Sequence, residues 1–130
     1  GTEGEKEVYR SSFQNMLKMM KLLNDKGIQL VAGTDGGQAI ALHRELELYA
    51  EAGIPANEVL KIATYNAAKT CGLLDKYGDV KTGLLADLIL IDGNPAQNIS
   101  DIRRVEWVIK NNKLYNPKQL LAVRGWKYYH

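Results

Sequence analysis

The first hydrophobic positions of the chain recur at helical spacing. Apolar residues separated by three or four positions predict an amphipathic helix before residue 25; they are Tyr9, Phe13, Met16, Leu17, Met20 and Leu23. Gly27 follows at the position where a helix commonly ends in a left-handed residue. The next segment, IQLVAGT at residues 28–34, is short, apolar and β-branched, and it predicts a strand. The chain is therefore expected to begin with a helix that leads into a strand.

Two further helices are predicted after this strand. One lies in LHRELELYAEAG and the other begins in NEVLK; their apolar positions are Leu42, Leu46, Tyr49, Val59, Leu60, Ala63 and Ala67. Pro55 lies between the two helices and forces a break, because proline cannot continue a helix. Helix, strand and helix in this order indicate an α/β class.

The pattern changes near Gly78, where the helical period is lost. The apolar run at residues 88–91 and the alternating segment VEWVIK predict strands. Asn111 and Asn112 lie where a hairpin turn needs positive φ, and KLY would be the returning strand. A small β unit therefore follows the α/β part. The pattern of the last residues, NPKQLLAVRGWKYYH, favours no particular structure.

Composition and charge exclude several classes of protein. The 130 residues are 45% hydrophobic and 25% charged, which is typical of a globular chain. The 17 basic and 15 acidic residues are interspersed, so no basic stripe indicates nucleic acid or a membrane surface as a partner. Cys71 is the single cysteine and cannot form an intrachain disulfide. With no signal-like or membrane-spanning segment, we expect a cytoplasmic location.

The segment VAGTDGG, residues 31–37, places one carboxylate between an apolar run and two glycines. Asp35 could cap the following helix or bond within a turn, which are common uses of aspartate. It could also be a carboxylate held at a strand end for chemistry, because the ends of strands fix side chains more firmly than loops do. The residues by themselves leave both interpretations open.

Three segments together carry a resemblance to a known family. They are the predicted strand ending in AGTDGG, the segment LHRELELYAEAGIPANEVLKIATYNAAKTCGL, and GDVKTGLLADLILIDGNPAQNISDIRRVEWVIKNNKLY. In this order and spacing they resemble the C-terminal portion of the amidohydrolase superfamily, most of all its imidazolonepropionase and Xaa-Pro dipeptidase group. The resemblance implies an α/β fold. Residues 1–75 would be the C-terminal fragment of a (β/α)8 TIM barrel, and residues 76–130 part of the accessory β-sandwich with the tail.

The resemblance also implies a site. The family's aspartate after the last barrel strand, matched here by Asp35, binds the catalytic metal and takes a proton from the attacking water. We therefore expect Asp35 to be both metal ligand and catalytic residue, with Zn²⁺ as cofactor. Gly36 and Gly37 would let the chain turn away beside the substrate. His43, at the entry to the next helix, could contact the substrate or simply bond to a loop carbonyl.

The other metal ligands that the family uses are absent from this sequence. The two histidines, His43 and His130, do not form a pair with ligand spacing, and one carboxylate is too few for a tight zinc site. We therefore expect the C-terminal part of a metal-dependent amidohydrolase that cleaves amide, peptide or cyclic amide C–N bonds, inactive by itself. The alternative is a non-catalytic scaffold or self-associating module built from the same piece of fold.

Four other residues between positions 44 and 71 have expected roles in substrate binding or in the local structure. Arg44 could clamp a substrate carboxylate or lie on a solvated helix face. Asn66 is expected to cap the short helix that follows it, and Cys71 to be a small packing residue. Pro55 takes a cap position that the family usually fills with a hydroxyl residue, so the next helix should start less firmly, by ~1 kcal/mol.

The expected partners follow from the same considerations. The resemblance implies a small-molecule or dipeptide substrate. A lone strand at residues 28–34 would expose unpaired backbone groups, which favours a homo-oligomer in which two copies of the strand pair.

Overall fold

The computed structural model of the protein describes residues 1–35 and 39–123. Its helices are α1 (Glu3–Asp25), α2 (Ala39–Glu51), α3 (Ala56–Lys61), α4 (Ala67–Thr70) and α5 (Pro117–Val123). Its strands are β1 (Leu88–Ile91), β2 (Val105–Lys110) and β3 (Lys113–Tyr115). A π-helical turn, Ile62–Asn66, joins α3 to α4, and a 3-10 turn, Ile99–Arg103, lies between β1 and β2. The chain is thus a mixed structure of helices and strands.

Local signals fix both ends of α1. At its start Thr2 and Glu5 form a capping box: the Thr2 hydroxyl accepts from the Glu5 amide, and the Glu5 carboxylate accepts from the Thr2 amide at 2.6 Å. At its end Gly27 takes a φ of 73°, the left-handed conformation that glycine adopts without strain. The predicted helix and its glycine stop are both confirmed.

The predicted strand at residues 28–34 is not formed among the described residues. These residues have no regular secondary structure, and none of the described strands pairs with them. A strand is defined by its hydrogen-bonded neighbour, so a suitable local sequence is not sufficient. Side chains from α2 and from the region of α4 contact the backbone of this segment instead.

The region after Pro55 shows one confirmed and two corrected predictions. Pro55 is the N-cap of α3 and offers no side-chain hydrogen bond, as predicted. Asn66 makes no capping bond to α4, so its predicted role is wrong; its side chain turns back to the 28–34 segment. Cys71 is exposed rather than packed, because α4 ends at Thr70 and directs Ala68, not Cys71, into the interior.

The strands form one antiparallel sheet in the order β1-β2-β3. β1 pairs with β2 from Leu88 opposite Ile109, and the register shifts by a bulge between Leu90 and Ile91. The β2–β3 turn places Asn111 and Asn112 at φ values of 51° and 58°, as a tight hairpin of this kind requires. The predictions of these strands and of the asparagine turn are confirmed.

One core unites the central helices with the 3-10 turn. Its buried side chains are Leu46, Tyr49, Ile54, Val59, Ile62, Ile99 and Ile102. Burying such side chains stabilises the packing by roughly 25 cal/mol per Å² of apolar surface. The core holds α2 in a fixed orientation, which matters because α2 carries several of the side chains discussed below. Among the described residues, no helix has both the length and the apolar composition needed to cross a bilayer.

Candidate active site

Asp35 lies at the end of the irregular 28–34 segment. Its side chain is exposed, and its backbone φ of 46° is in the left-handed region, which aspartate tolerates better than most residues. Within residues 1–35 and 39–123, no hydrogen bond or ion pair engages its carboxylate. Gly36 and Gly37, the predicted substrate-binding glycines, lie outside the described residues, so their role stays a prediction.

A glutamate of α2 holds the backbone just before Asp35. The Gly33 amide donates to Oε1 of Glu45 at 2.8 Å, and the Tyr49 hydroxyl donates to the same oxygen at 2.6 Å. The Tyr49 hydroxyl also lies 3.5 Å from the carbonyl oxygen of Val31. Glu45 and Tyr49 are one turn apart on α2, so both reach the same short stretch of chain.

Two further side chains hold the beginning of the segment. Nδ2 of Asn66, at the end of the π-helical turn, donates to the Leu30 carbonyl at 3.1 Å. Nε2 of Gln29 donates to the hydroxyl of Thr70 at 2.8 Å. The segment that leads to Asp35 is therefore fixed from two helical regions, although it belongs to no sheet among the described strands.

The sequence alone does not predict Glu45 and Tyr49 as parts of the site. A signal for them exists: Glu45 lies within the apolar stripe of α2, three residues after Leu42 and four before Tyr49. A carboxylate on the buried side of a helix must find donors, because leaving it without partners there is costly. The identity of the donors could not be read from the pattern.

Electrostatics keep Tyr49 in its neutral, donating form. Burial, and then the hydrogen bond and charge of Glu45, raise the pKa of Tyr49 well above its ordinary value. The ring is 8% exposed and belongs to the core, so its position is set by packing. The Tyr49 hydroxyl therefore stays protonated, and able to donate to Glu45, well above neutral pH.

His43 lies on α2 with its side chain half-buried. Burial lowers its pKa, the nearby Arg103 lowers it further, and Glu47 opposes both effects. The neutral imidazole is therefore favoured. Its charged neighbours lie on the 3-10 turn and on α2 itself, and no interaction joins His43 to Asp35 within the described chain. A substrate contact by His43 stays a prediction.

Arg44 and Glu47 belong to a network of ion pairs on α2. Arg44 is exposed and lies 3.1 Å from Glu51 and 3.6 Å from Glu47, which fits the interpretation of a solvated helix face. Glu47 also accepts two bonds from Arg103, at 2.6 and 2.9 Å. This bidentate pair lowers the pKa of Glu47 and fastens α2 to the 3-10 turn.

The described residues do not form a metal site by themselves. No group of three or more histidine, cysteine, aspartate or glutamate side chains comes together in residues 1–35 and 39–123. Zinc sites normally draw three or four ligands from the protein. Asp35 is exposed and chemically suited to be one such ligand, so any metal here would need additional ligands from elsewhere.

Comparison with known proteins agrees with the resemblance seen in the sequence. A 5-methylthioadenosine/S-adenosylhomocysteine deaminase from Teredinibacter turnerae is 36% identical over 84 residues, covering 55% of this chain and 19% of the relative. A 5'-deoxyadenosine deaminase from Methanosarcina mazei is 29% identical over 119 residues, covering 70% of this chain and 26% of the relative. This chain thus spans about a fifth to a quarter of the length of these curated relatives.

A solved structure is similar as well. It is a Xaa-Pro dipeptidase with methionine bound in its active site, 33% identical to this chain, with a TM-score of 0.71 over 79% of this chain and 25% of that protein. The sequence model of the amidohydrolase family matches residues 10–115, a range that contains Asp35, α2 and the whole sheet. The chain therefore belongs to the amidohydrolase family.

Proposed function

We propose that the protein is a hydrolase of C–N bonds in which Asp35 is the catalytic carboxylate. The observation that carries the proposal is the state of this residue: an exposed carboxylate, engaged by no described side chain, at the end of a segment that Glu45, Tyr49 and Asn66 hold in place. Exposure without a described partner does not single out Asp35, because Asp75 shares it; the segment held by these side chains does. The family match, which includes Asp35, supports a chemical role.

We further propose that the chain corresponds to the C-terminal part of a (β/α)8 barrel with its accessory sandwich. The match to about a quarter of the dipeptidase structure supports a partial correspondence. In this proposal residues 1–75 belong to the barrel and residues 76–130, with β1–β3, to the sandwich. Segment 28–34 would then be the last barrel strand, paired with strands other than those described.

Members of this family generally bind a divalent metal, and we propose Zn²⁺ with Asp35 as one ligand. A bound zinc ion would supply an acidified water, with a pKa lowered to about 7. Asp35 suits a ligand position because its carboxylate is exposed. The described residues alone do not complete the coordination, so the remaining ligands would come from other parts of the complete protein.

The part of the reaction assigned to Asp35 is proton transfer. Its carboxylate would accept a proton from the attacking water and later deliver it to the departing nitrogen, which must be protonated to leave. One group can do both because the two events follow one another. A fixed backbone favours this, since a transfer of this kind needs donor and acceptor within hydrogen-bond reach.

The proposed substrate is a small molecule with a hydrolysable C–N bond. The curated relatives are deaminases of adenosine derivatives, whereas the solved structure is a dipeptidase. Both kinds of reaction break a C–N bond with water, and this common step is what we propose for the present protein. His43, Gly36 and Gly37 are proposed to line the substrate side of the site.

The test is the substitution Asp35→Asn in the complete protein. Asparagine keeps the shape and also tolerates the left-handed backbone, but it cannot accept the proton. We expect kcat on a deaminase or dipeptidase substrate to fall by ~10³-fold or more, with the circular dichroism spectrum unchanged.

Asp75→Asn is a matched control, because Asp75 is also an exposed aspartate and has no described partner. Its kcat should stay near that of the unsubstituted protein. Near-normal turnover by Asp35→Asn with metal still bound would contradict the proposal, since an ordinary turn or cap tolerates asparagine as well as aspartate.

A second candidate is self-association, which one surface favours. On α1 the side chains of Val8, Met16, Met19 and Leu22 are more than half exposed and lie on the side turned away from the buried Leu17. An apolar helix face of this kind is normally covered. We propose that a second copy of the chain covers it, which keeps the expectation of a homo-oligomer but moves the contact away from residues 28–34.

A further inference from the structure

We infer that Arg103 is a positioning residue of the proposed site: its guanidinium, held by Glu47, fixes the turn of α2 that carries His43 and sets the electrostatic environment of the imidazole. The inference rests on the proposed place of His43 beside the substrate. It brings residues beyond the proposed barrel part into the reaction, because Arg103 lies on the 3-10 turn between β1 and β2. Arg103 itself would touch neither substrate nor metal.

The pair of Arg103 and Glu47 is bidentate and partly shielded from water. Nε of Arg103 donates to Oε1 of Glu47 at 2.6 Å, and Nη2 donates to Oε2 at 2.9 Å. The Glu47 side chain is 15% exposed, so solvent weakens this pair less than it weakens an ion pair on the open surface. Two parallel bonds fix the orientation of the guanidinium as well as its distance from α2.

Apolar packing brings Arg103 to α2 independently of the ion pair. Ile99 and Ile102 of the same 3-10 turn are 5% and 8% exposed, and they share the core with Leu46, the residue before Glu47. The guanidinium therefore approaches α2 from a turn whose backbone is set by the core. None of these contacts requires a neighbour from outside the chain.

His43 lies one helical turn before Glu47, so the two side chains share a face of α2. The imidazole is half-buried, and burial lowers its pKa. The charge of Arg103 lowers this pKa further, and the charge of Glu47 raises it. Both members of the pair thus act on His43.

Several other charged side chains on α2 and on the helices packed against it are held by different partners. They are Lys21 with Asp25, Glu58 with Asn24, Arg44 with Glu51, and Lys61 with the ring of Tyr65. In the described chain, Arg103 and Glu47 are the charges that shift the pKa of His43. Arg103 is therefore the cation whose removal should change the state of the imidazole.

An uncharged imidazole is the more versatile substrate contact. It accepts a hydrogen bond through one nitrogen and donates through the other, whereas the imidazolium only donates. Burial and Arg103 both favour the uncharged form of His43. Loss of Arg103 should therefore cost His43 its acceptor nitrogen at a higher pH than in the unsubstituted protein.

The experiment follows the NMR titration of His43 in the complete protein, with its signal identified by its loss in His43→Gln. Arg103→Met removes the cation and should move the titration midpoint to higher pH. Glu47→Gln removes the anion but keeps an acceptor oxygen for Arg103, and it should move the midpoint to lower pH. Arg104→Met is the matched control, because Arg104 is the next residue but pairs with Asp92, and its midpoint should be unchanged. Further neighbours in the complete protein act on every variant alike, so the differences report the pair.

The effect on the reaction is read from kcat/KM at two pH values. Each unit by which the pH lies below a group's pKa reduces its neutral fraction about tenfold. At about pH 6 we therefore expect kcat/KM of Arg103→Met to be about 3- to 10-fold below that of the unsubstituted protein, with a smaller difference at about pH 8. Arg103→Lys keeps the charge and should restore most of both readouts. A merely structural role would lower the melting temperature and reduce kcat/KM equally at both pH values.

The outcomes separate this inference from the proposed function. Equal titration midpoints in Arg103→Met and Arg104→Met would overturn the inference whatever the activity. If Arg103→Met does not fold, equal midpoints in Glu47→Gln and the unsubstituted protein would overturn it in the same way. The expected shift with an unchanged pH dependence of kcat/KM would refute the role of Arg103 in the reaction. Normal turnover by Asp35→Asn would instead contradict the proposed function, a result that the titration of His43 does not affect.

Discussion

The Tyr49 hydroxyl offers a direct measure of how strongly the core holds the chain before Asp35. Replacing Tyr49 by Phe removes one oxygen and leaves the ring, which is 8% exposed, packed as before. The oxygen donates to Glu45 at 2.6 Å; its contact with Val31, at 3.5 Å, is at the limit of a hydrogen bond and adds little. The loss is therefore essentially that of one bond to a charged acceptor.

The expected loss in the free energy of unfolding depends on how far the Glu45 carboxylate is buried. A hydrogen bond to a charged group contributes about 1.5–3 kcal/mol. Glu45 is only half-buried, so water can replace part of the lost bond, and we expect a decrease of about 1.5 kcal/mol in the free energy of unfolding. With an m-value of about 1.5 kcal/mol per molar urea, the midpoint should fall by about 1 M.

Urea unfolding of Tyr49→Phe tests this, with Tyr65→Phe as the control. The Tyr65 ring lies under Lys61, and its hydroxyl has no hydrogen-bond partner in the described part of the chain, so its loss should shift the midpoint little. A double-mutant cycle with Glu45→Gln isolates the pair. An unchanged midpoint in Tyr49→Phe, at an unchanged m-value, would refute the argument that this hydroxyl anchors Glu45.

Two further predictions concern acid sensitivity and association. Burial and Arg103 lower the pKa of His43 in the folded protein, so near pH 6.5 and below the unfolded chain binds a proton that the folded chain does not. The free energy of unfolding should therefore fall as the pH drops below about 6.5. Urea unfolding at several pH values should show this fall, and His43→Gln should remove it. If a second copy covers α1, light scattering at micromolar concentration should give a dimer, and Met16→Glu with Met19→Glu should give a monomer. A monomeric unsubstituted protein would contradict the association.

The elements that the sequence predicted correctly depend on local chemistry. The glycine after α1 and the asparagine pair of the hairpin need particular φ values that few residues adopt, so the residue type points to the conformation. The period of α1 likewise places Phe13, Leu17, Met20 and Leu23 on its more buried side. In β2 the alternation is not matched by exposure, since residues 105–109 are all half-buried, but its β-branched and aromatic residues are typical of a strand. Each of these signals is complete within a few neighbouring residues.

The predictions that the described structure does not bear out depend on distant parts of the chain. Segment 28–34 has the composition of a strand, yet pairing depends on a partner that its own residues cannot specify. Asn66 was expected to cap α4, but its amide reaches a carbonyl 36 positions earlier in the chain. An asparagine side chain can serve as a local cap or as a donor to a distant carbonyl, and only the packing of the helices selects between the two.

The same limit applies to the candidate site. Asp35 was singled out by its place between an apolar run and two glycines, and the family match includes it. Glu45 could have been suspected as a carboxylate on the apolar side of α2, but its acceptor role depends on how α2 lies against residues 31–33. Such relations between elements become visible only in three dimensions.

The π-helical turn at Ile62–Asn66 takes up one extra residue within its helical region. In an α-helix each residue advances by about 100°, and a π turn accommodates one residue more than an α turn does. Upstream, Val59 and Ile62 face the core; downstream, Asn66 faces Leu30, and Ala68 lies against Gly78, where an added Cβ would come within 2.7 Å of it. A deletion of one residue inside the turn would convert it to an α turn and leave both surfaces in phase, whereas a deletion within α3 would rotate the second surface by about 100° relative to the first. The π turn therefore marks the place in this helical region where one residue can be lost with the bond from Asn66 to Leu30 and the core both kept.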